Sequence, residues 1–310
     1  MELAIGIDIG GTKTKIGLVT PQGKLLASKT FVTRAGDPAQ LTEDLLRATA
    51  ALLKGKKNIR GIGLASAGRI NFNQQKISYA TDNLRGWTGQ PIAEHLQQAF
   101  NLRVRIDNDV NAALLSALKL NPAWQHQIVI FVCIGTGLGG AVSFNGKIIR
   151  GKTGSAGEFG HMTLYPGGHP CNCGKNGCAE QYISGRAYQR ILGEKFKQGK
   201  IDLPSQDLTP ATIQQRIFRG ERIYLTTLRE LAANLALLLE NIKNCIDFDT
   251  CILGGSFTTY QDIILETIAA KFQIYNHKYW QKPLFTFSKQ GNNSGVIGGG
   301  LLVFEDISPI

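Results

Sequence analysis

One pattern that occurs twice restricts this chain more than any other feature. Near the start, the apolar run Leu3-Ala-Ile-Gly-Ile-Asp-Ile ends at Gly10-Gly11, and a second run, Thr14-Lys-Ile-Gly-Leu-Val-Thr, follows at once. β-Branched apolar residues make these strands, and the glycines make the link a tight turn. A third strand, Lys24 to Phe31, follows the turn Pro21-Gln-Gly23. The apolar strand Gln127 to Ile134 restarts the series with Gly135-Thr-Gly-Leu-Gly-Gly140, a strand Ala141 to Phe144, the turn Asn145-Gly146 and a strand Lys147 to Arg150. We read this as an internal duplication, with a border near residues 117–126. A chain of 310 residues exceeds one ordinary core and suits two domains.

Helical spacing predicts helices over Pro38 to Lys54, Pro91 to Phe100, Val110 to Lys119, Ala187 to Lys197 and Pro210 to Arg219. A long one spans Leu228 to Ile246, with Leu228, Leu231, Leu235, Leu238, Leu239 and Ile242 on its apolar face. A last helix is expected at the C-terminus from Gly298. Ile59 to Ala65, Val104 to Ile106 and Thr250 to Leu253 read as buried strands.

No apolar run reaches the roughly 20 residues of a membrane span, and the N-terminus lacks the basic region and cleavage site of a signal peptide. A cytoplasmic protein is therefore expected. The formal charge of +11 raises the possibility of polyanionic partners. The Lys and Arg residues are dispersed, however, and neither a nucleic-acid nor a membrane partner is expected.

Asp8-Ile-Gly-Gly-Thr12 closes a strand with an acid and opens a turn where backbone N–H groups can approach a phosphate. Thr12 and Lys13 can donate to phosphate oxygens, and Asp8 can hold Mg²⁺ through water. Gly10 and Gly11 suit a plain hairpin equally well. Gly135, Thr136 and Gly137 repeat the theme. A strand follows them, not the helix of a dinucleotide fingerprint, and no Gly-Lys-Ser/Thr closes either loop, so the Walker motif is absent too. Gly254 and Gly255 end a strand and can receive the adenosine, or can be a simple strand-to-helix turn. Asp109, at a strand mouth before a helix, can take the proton of an attacking sugar hydroxyl that Asn108 orients; Asp107, Asn108 and Asp109 are also all good helix caps. His161, Cys171, Cys173 and Cys178 make a donor set for structural zinc, with His169 as a rival fourth ligand. Glu158, His161 and Glu180 flank this knuckle and can accept from sugar hydroxyls, or simply be solvated.

In order, Asp8-Ile-Gly-Gly-Thr12, Asn108-Asp109-x-Asn111, Gly135-Thr-Gly137, Gly157-Glu-Phe-Gly-His161 and Cys171-x-Cys-Gly-x-x-Gly-Cys178-x-Glu180 resemble the ROK family of bacterial sugar kinases and repressors. The resemblance implies a two-lobed α/β actin-like/hexokinase-like (ribonuclease H-like) ATPase fold with a zinc knuckle, closing on sugar. It implies Mg-ATP and structural Zn as cofactors. It assigns Asp109 as catalytic base, Asp8 and Thr12 to Mg-ATP, and Glu158, His161 and Glu180 to the sugar. Gly68 and Arg69 match a sugar-contacting loop, joined by Asp82 and Asn83 in Thr81-Asp-Asn-Leu-Arg-Gly-Trp87. The expected lobes are 1–118, completed by a C-terminal helix over 297–310, and 119–296 with a zinc-binding insert at 157–180. Two departures bear on adenine binding: Asp247-Phe248 replaces the family's Asp-Pro, and Ser256 its third glycine. Family repressors carry a DNA-binding domain ahead of the first phosphate motif; with that motif at Asp8, a kinase is expected over a repressor or a non-catalytic sensor. The loop Ser66-Ala-Gly-Arg69 leans toward N-acetylmannosamine or N-acetylglucosamine, with glucose, then fructose or allose, as alternatives. A homodimer or homotetramer is usual in the family.

Overall fold

Two five-stranded sheets with the same strand order organise the chain. The computed structural model describes residues 1–201, 207–272 and 281–305. The first sheet runs β3-β2-β1-β4-β7, from β1 (Leu3–Ile9), β2 (Lys13–Val19), β3 (Leu25–Val32), β4 (Ile59–Ser66) and β7 (Val104–Asn108). The pairings of β1 with β2 and β2 with β3 are antiparallel; those of β1 with β4 and β4 with β7 are parallel. Between β4 and β7, β5 (Arg69–Asn71) and β6 (Lys76–Tyr79) form a small hairpin. The second sheet runs β10-β9-β8-β11-β12, from β8 (Ile128–Ile134), β9 (Leu138–Phe144), β10 (Lys147–Ile149), β11 (Thr250–Gly254) and β12 (Leu284–Phe287), with β11 parallel to both β8 and β12. The repeated strand, turn, strand pattern in the sequence is thus a repeated sheet edge.

The helices are α1 (Pro38–Leu53), α2 (Ile92–Phe100), α3 (Asp109–Leu120), α4 (Glu180–Ile183), α5 (Gly185–Lys197), α6 (Pro210–Phe218), α7 (Arg222–Ile246), α8 (Gln261–Lys271) and α9 (Ser294–Leu302). Their starts follow local chemistry. Asp37 caps α1 by accepting from Gln40 N–H, with Pro38 at the first helical position; Ser184 caps α5 and Thr209 caps α6 in the same way. The expected final helix begins earlier than Gly298, at Ser294, and residues 306–310 of the expected 297–310 segment lie outside the described residues. None of the described helices is long and apolar enough to cross a membrane.

Contacts cluster into two compact units: Met1–Gln127, Ala141–Gly157 and Lys289–Ile310 in one, Ile128–Gly140 and Glu158–Ser288 in the other. In the first, α9 is buried along its length except at Ser294. It lies backbone against backbone on the sheet and on α3. A Cβ at Gly63 would stand 1.8 Å from Gly299 O, one at Gly6 1.9 Å from Val296 O, and one at Gly298 1.8 Å from Ala112 O. These approaches admit no side chain.

Gly63→Ala must therefore push α9 off β4. It should destabilise the protein by about 3 kcal/mol, whereas Gly135→Ala, whose new Cβ would meet nothing within 4 Å, should change stability by less than about 0.5 kcal/mol. Urea denaturation of the two variants checks this contrast.

Candidate active site

In the first unit every candidate residue gathers at the carboxyl ends of β1, β4 and β7, the edge where open α/β sheets bind ligands. Beyond β1 the chain turns through Gly10 to Lys13, closed by Gly10 N–H to Lys13 O at 3.1 Å. Thr33 braces the turn, its hydroxyl donating to Gly10 O at 2.7 Å and its N–H to Thr12 O at 3.0 Å. Thr12 and Lys13 are exposed. Gly11 abuts Asn83, whose Cβ and O lie 3.0 Å from where a Gly11 side chain would begin. Asn83 belongs to a loop anchored by the buried Trp87, which donates from Nε1 to Ser66 Oγ at 3.2 Å.

Beyond β4, Gly68 takes φ +107°, and a Cβ there would strike Tyr79 O at 2.4 Å. Next to it, Arg69 has a buried Nε without a hydrogen-bond partner. Beyond β7, Asn108 is the cap of α3: its Oδ1 accepts from Val110 N–H at 2.8 Å and Asn111 N–H at 3.3 Å, while its Nδ2 donates to Gly68 O at 2.8 Å. Among the three cap-type residues Asn108 thus takes that role, and Asp109 is the first helical residue. Asp109 Oδ1 accepts from Val110 N–H at 3.0 Å. Burial, then the Asp109 charge, push the Asp8 carboxyl up to about 7, with Lys15 opposing. Gly295, in the first turn of α9, faces Asp8: a Cβ there would lie 2.3 Å from Asp8 Oδ2.

The sequence reading missed what supports Asp109. Asp107 is 1% exposed and accepts from Arg150 Nε at 2.6 Å, Asn108 N–H at 2.7 Å and Asn111 Nδ2 at 2.9 Å. Arg150 also donates to Glu305 at 2.8 Å and lies 3.7 Å over the Phe72 ring.

In the second unit the glycine turns meet at the ends of adjacent parallel strands. Gly135 N–H donates to Gly137 O at 3.0 Å, and Gly135 O accepts from Gly185 N–H at the start of α5. Gly255, at φ +87°, packs against Ile134 O, where a Cβ would come within 2.3 Å. Glu180 docks on the first turn: its Oε2 accepts from Leu138 N–H at 2.9 Å.

The knuckle brings His161, Cys171, Cys173 and Cys178 together, their ligand atoms all within 4.8 Å of one another. His161 Nδ1 lies 3.7 Å from Cys171 Sγ, and Cys173 Sγ 3.5 Å from Cys178 Sγ. Tetrahedral zinc with thiolates at about 2.3 Å spaces its sulfurs by about 3.8 Å, so this donor set fits zinc in kind and spacing. Burial and the adjacent thiols push Cys178 up to about 12, so only a bound cation would deprotonate it near neutral pH. His169 stands apart, with its Nε2 2.9 Å from an Arg190 nitrogen. Glu158, with a side chain 43% exposed, lies 4.0 Å from His161 Nε2.

Two outcomes follow from these environments. An Asp8 carboxyl raised from 3.8 to about 7 holds a proton that the unfolded chain releases, so its contribution to stability is present at low pH and declines as pH rises from about 4 through about 7. Without divalent cations, Asp8→Asn should then be more stable than wild type at pH 8, on the order of 2 kcal/mol after solvent screening, with the gap closing at pH 5; equal gaps at both pH values would show Asp8 already ionised. Cys173→Ser should lower bound zinc from one equivalent to well below one by metal analysis and lower the melting temperature.

Known proteins resemble this chain over nearly its whole length. The ROK family model matches residues 4–306. A glucokinase of Halalkalibacterium halodurans is 30% identical over 96% of this chain and 94% of its own length. An N-acetyl-D-glucosamine kinase of Pasteurella multocida is 27% identical over 96% of this chain and 98% of its own. The crystal structure of a ROK family glucokinase from Streptomyces griseus, in complex with glucose and AMPPNP, superposes with a TM-score of 0.82 at 26% identity, covering 96% of this chain and 98% of that one. With the family model matching nearly the whole chain and a 30% identical relative covered almost end to end, the chain belongs to the ROK family.

Proposed function

We propose that this ROK family sugar kinase transfers the γ-phosphoryl group of Mg-ATP to a hydroxyl of glucose, with Asp109 as the general base. The observation that carries the reading is the pair Asp8, near the end of β1, and Asp109, just past the end of β7, with only β4 between the two strands and the Asp109 charge raising the Asp8 pKa. Phosphoryl transfer uses two acids differently: one faces the hydrated cation of the nucleotide, the other takes the acceptor's proton. A raised Asp8 favours a site that is completed only when a cation arrives with ATP.

Each remaining group has one task. Gly10, Gly11, Thr12 and Lys13 offer N–H, hydroxyl and ammonium donors to the phosphates. Gly135, Thr136, Gly137, Gly254 and Gly255 form backbone surfaces for the nucleotide. Gly68, Arg69, Asn83, Asn108, Glu158, His161 and Glu180 bind and orient the sugar; the buried, unpartnered Nε of Arg69 is a donor that a hydroxyl would satisfy. His161, Cys171, Cys173 and Cys178 would hold a zinc ion, which supplies a structural cross-link. The acceptor hydroxyl's proton passes to Asp109 Oδ as its oxygen attacks the γ-phosphorus, and ADP leaves.

Glucose is supported by the name of the 30% identical relative and by the sugar in the Streptomyces griseus complex. A second reading, an N-acetylhexosamine, is favoured by the loop Ser66-Ala-Gly-Arg69 and by the Pasteurella multocida relative's name. A coupled ADP-release assay over glucose, N-acetylglucosamine, N-acetylmannosamine, fructose and allose decides between them. We expect the largest kcat/KM for glucose, and in the same assay a drop of about 10²–10⁴ in kcat for Asp109→Asn. A variant within threefold of wild type would remove Asp109 from the mechanism.

A further inference from the structure

We propose that Arg150 is a positioning residue for the Asp109 carboxylate, acting through Asp107; this rests on the reading of Asp109 as base. Asp107 and Arg150 are 43 residues apart in sequence, and Arg150 and Glu305 155 apart, so their meeting is a product of the fold.

Asp107 Oδ2 accepts from Arg150 Nε at 2.6 Å. Its Oδ1 accepts twice, from Asn108 N–H at 2.7 Å and from Asn111 Nδ2 at 2.9 Å. Asn108 immediately precedes Asp109, and Asn111 follows it by two positions in the same turn of α3. Both flanks of Asp109 are therefore tied to Asp107. Asn108 also ties that turn to Gly68 O at 2.8 Å.

A carboxylate as buried as Asp107 needs its donors in place. Without the guanidinium its Oδ2 is left unpaired, and the carboxylate on which Asn108 and Asn111 converge turns or admits water. Arg150 is itself aimed by Glu305 at 2.8 Å and by the Phe72 ring at 3.7 Å. Its planar fork satisfies two carboxylates at once, which a lysine ammonium cannot reproduce with the same geometry. Displacement of a catalytic group by about 1 Å costs on the order of 10²-fold in rate. Thr33 braces the Gly10 to Lys13 turn, whereas Asp107 and Arg150 bracket Asp109, so the cost should fall on kcat and spare ATP binding.

The test measures kcat and both KM values for Arg150→Met, Arg150→Lys and the double variant Arg150→Met with Asp107→Asn, each normalised to its folded fraction by circular dichroism. We expect kcat to fall about 30–100-fold in Arg150→Met and about 5–20-fold in Arg150→Lys, with KM for ATP within about twofold of wild type. The double variant, whose amide oxygen still accepts from Asn108 and Asn111 without a buried charge, should recover at least about fivefold over Arg150→Met. If Arg150→Met does not fold, Arg150→Lys decides by the same criterion. A purely stabilising role would leave kcat per folded molecule within about twofold of wild type, and that result overturns the proposal. Asp109→Asn run in parallel separates the two readings: retained turnover there removes the base assignment itself, whereas an inactive Asp109→Asn beside a silent Arg150 removes only the role of Arg150.

Discussion

The seat of α9 is the constraint on which the first unit depends. A helix of nine residues, about 13 Å long, touches β1 and β4 through backbone atoms because Gly6 and Gly63 leave it the room. Its own glycines are poor helix formers, at about 1 kcal/mol each relative to alanine. Burial and close packing of Val296, Ile297, Leu301 and Leu302 offset that cost. The placement has chemical consequences at both ends. Gly295 brings the first turn of α9 against the Asp8 carboxylate, where the partial positive charge of a helix start favours the ionised acid and works against its desolvation. Past the other end, Glu305 reaches Arg150, which holds Asp107. One short helix thus bears on the surroundings of both acids that the proposed chemistry uses.

Asp8 and Asp107, the buried acid two residues ahead of Asp109, are held under opposing conditions. Asp8 is crowded by burial and by Asp109, and has only Lys15 as a cationic neighbour in its balance. Asp107, more deeply buried, receives three donors including a guanidinium. An anion with its donors in place is a structural element; an anion short of them is a place for a cation. In the proposed function the hydrated ion of Mg-ATP would supply what Asp8 lacks, and nucleotide arrival and ionisation of Asp8 would then be linked events.

How much of this was legible in the sequence depended on distance along the chain. Strands and amphipathic helices with strong local patterns, such as β1, β8 and the leucine face of α7, were readable because neighbours in sequence share their environment. The duplication was readable because each copy begins with an apolar strand and glycines. Asn108 as cap was one of three open choices, and only the fold selects it, through Gly68 O. Helix α8 was missed: Ile263, Ile264 and Leu265 are adjacent, so no single face stands out before the packing partners of Ile264 and Ile268 are known. β12 was missed because four residues with partly exposed side chains give no alternation to read. The onset of α9 was set too late because its first residues, Ser294 and Gly295, are weak helix formers whose position is fixed by tertiary contact. Arg150 carried no local signal at all; an arginine at the end of a short strand looks solvated until Asp107 and Glu305 are brought to it.

The two units fix their acids by different means. In the first, an ion network locks the peptide ahead of Asp109. In the second, Glu180 follows Cys178 by two residues, and the residue between them, Ala179, donates its N–H to Met162 O at 2.8 Å. Closing His161, Cys171, Cys173 and Cys178 on an ion would therefore pin the segment that leads into Glu180, the first residue of α4. Glu180 in turn receives Leu138 N–H, and its Oε2 lies 2.3 Å from where a side chain at Gly137 would begin. A loop that zinc would brace is thereby joined to the Gly135 to Gly137 turn by the Glu180 carboxylate. Between Glu158 and Cys178 the chain forms one short 3₁₀ turn and isolated bridges, with no helix or long strand, and coordination bonds would be the stronger means of holding a side chain there to within a fraction of an ångström. Where strands and helices already enclose the acid, as at Asp107, a guanidinium and two amides suffice.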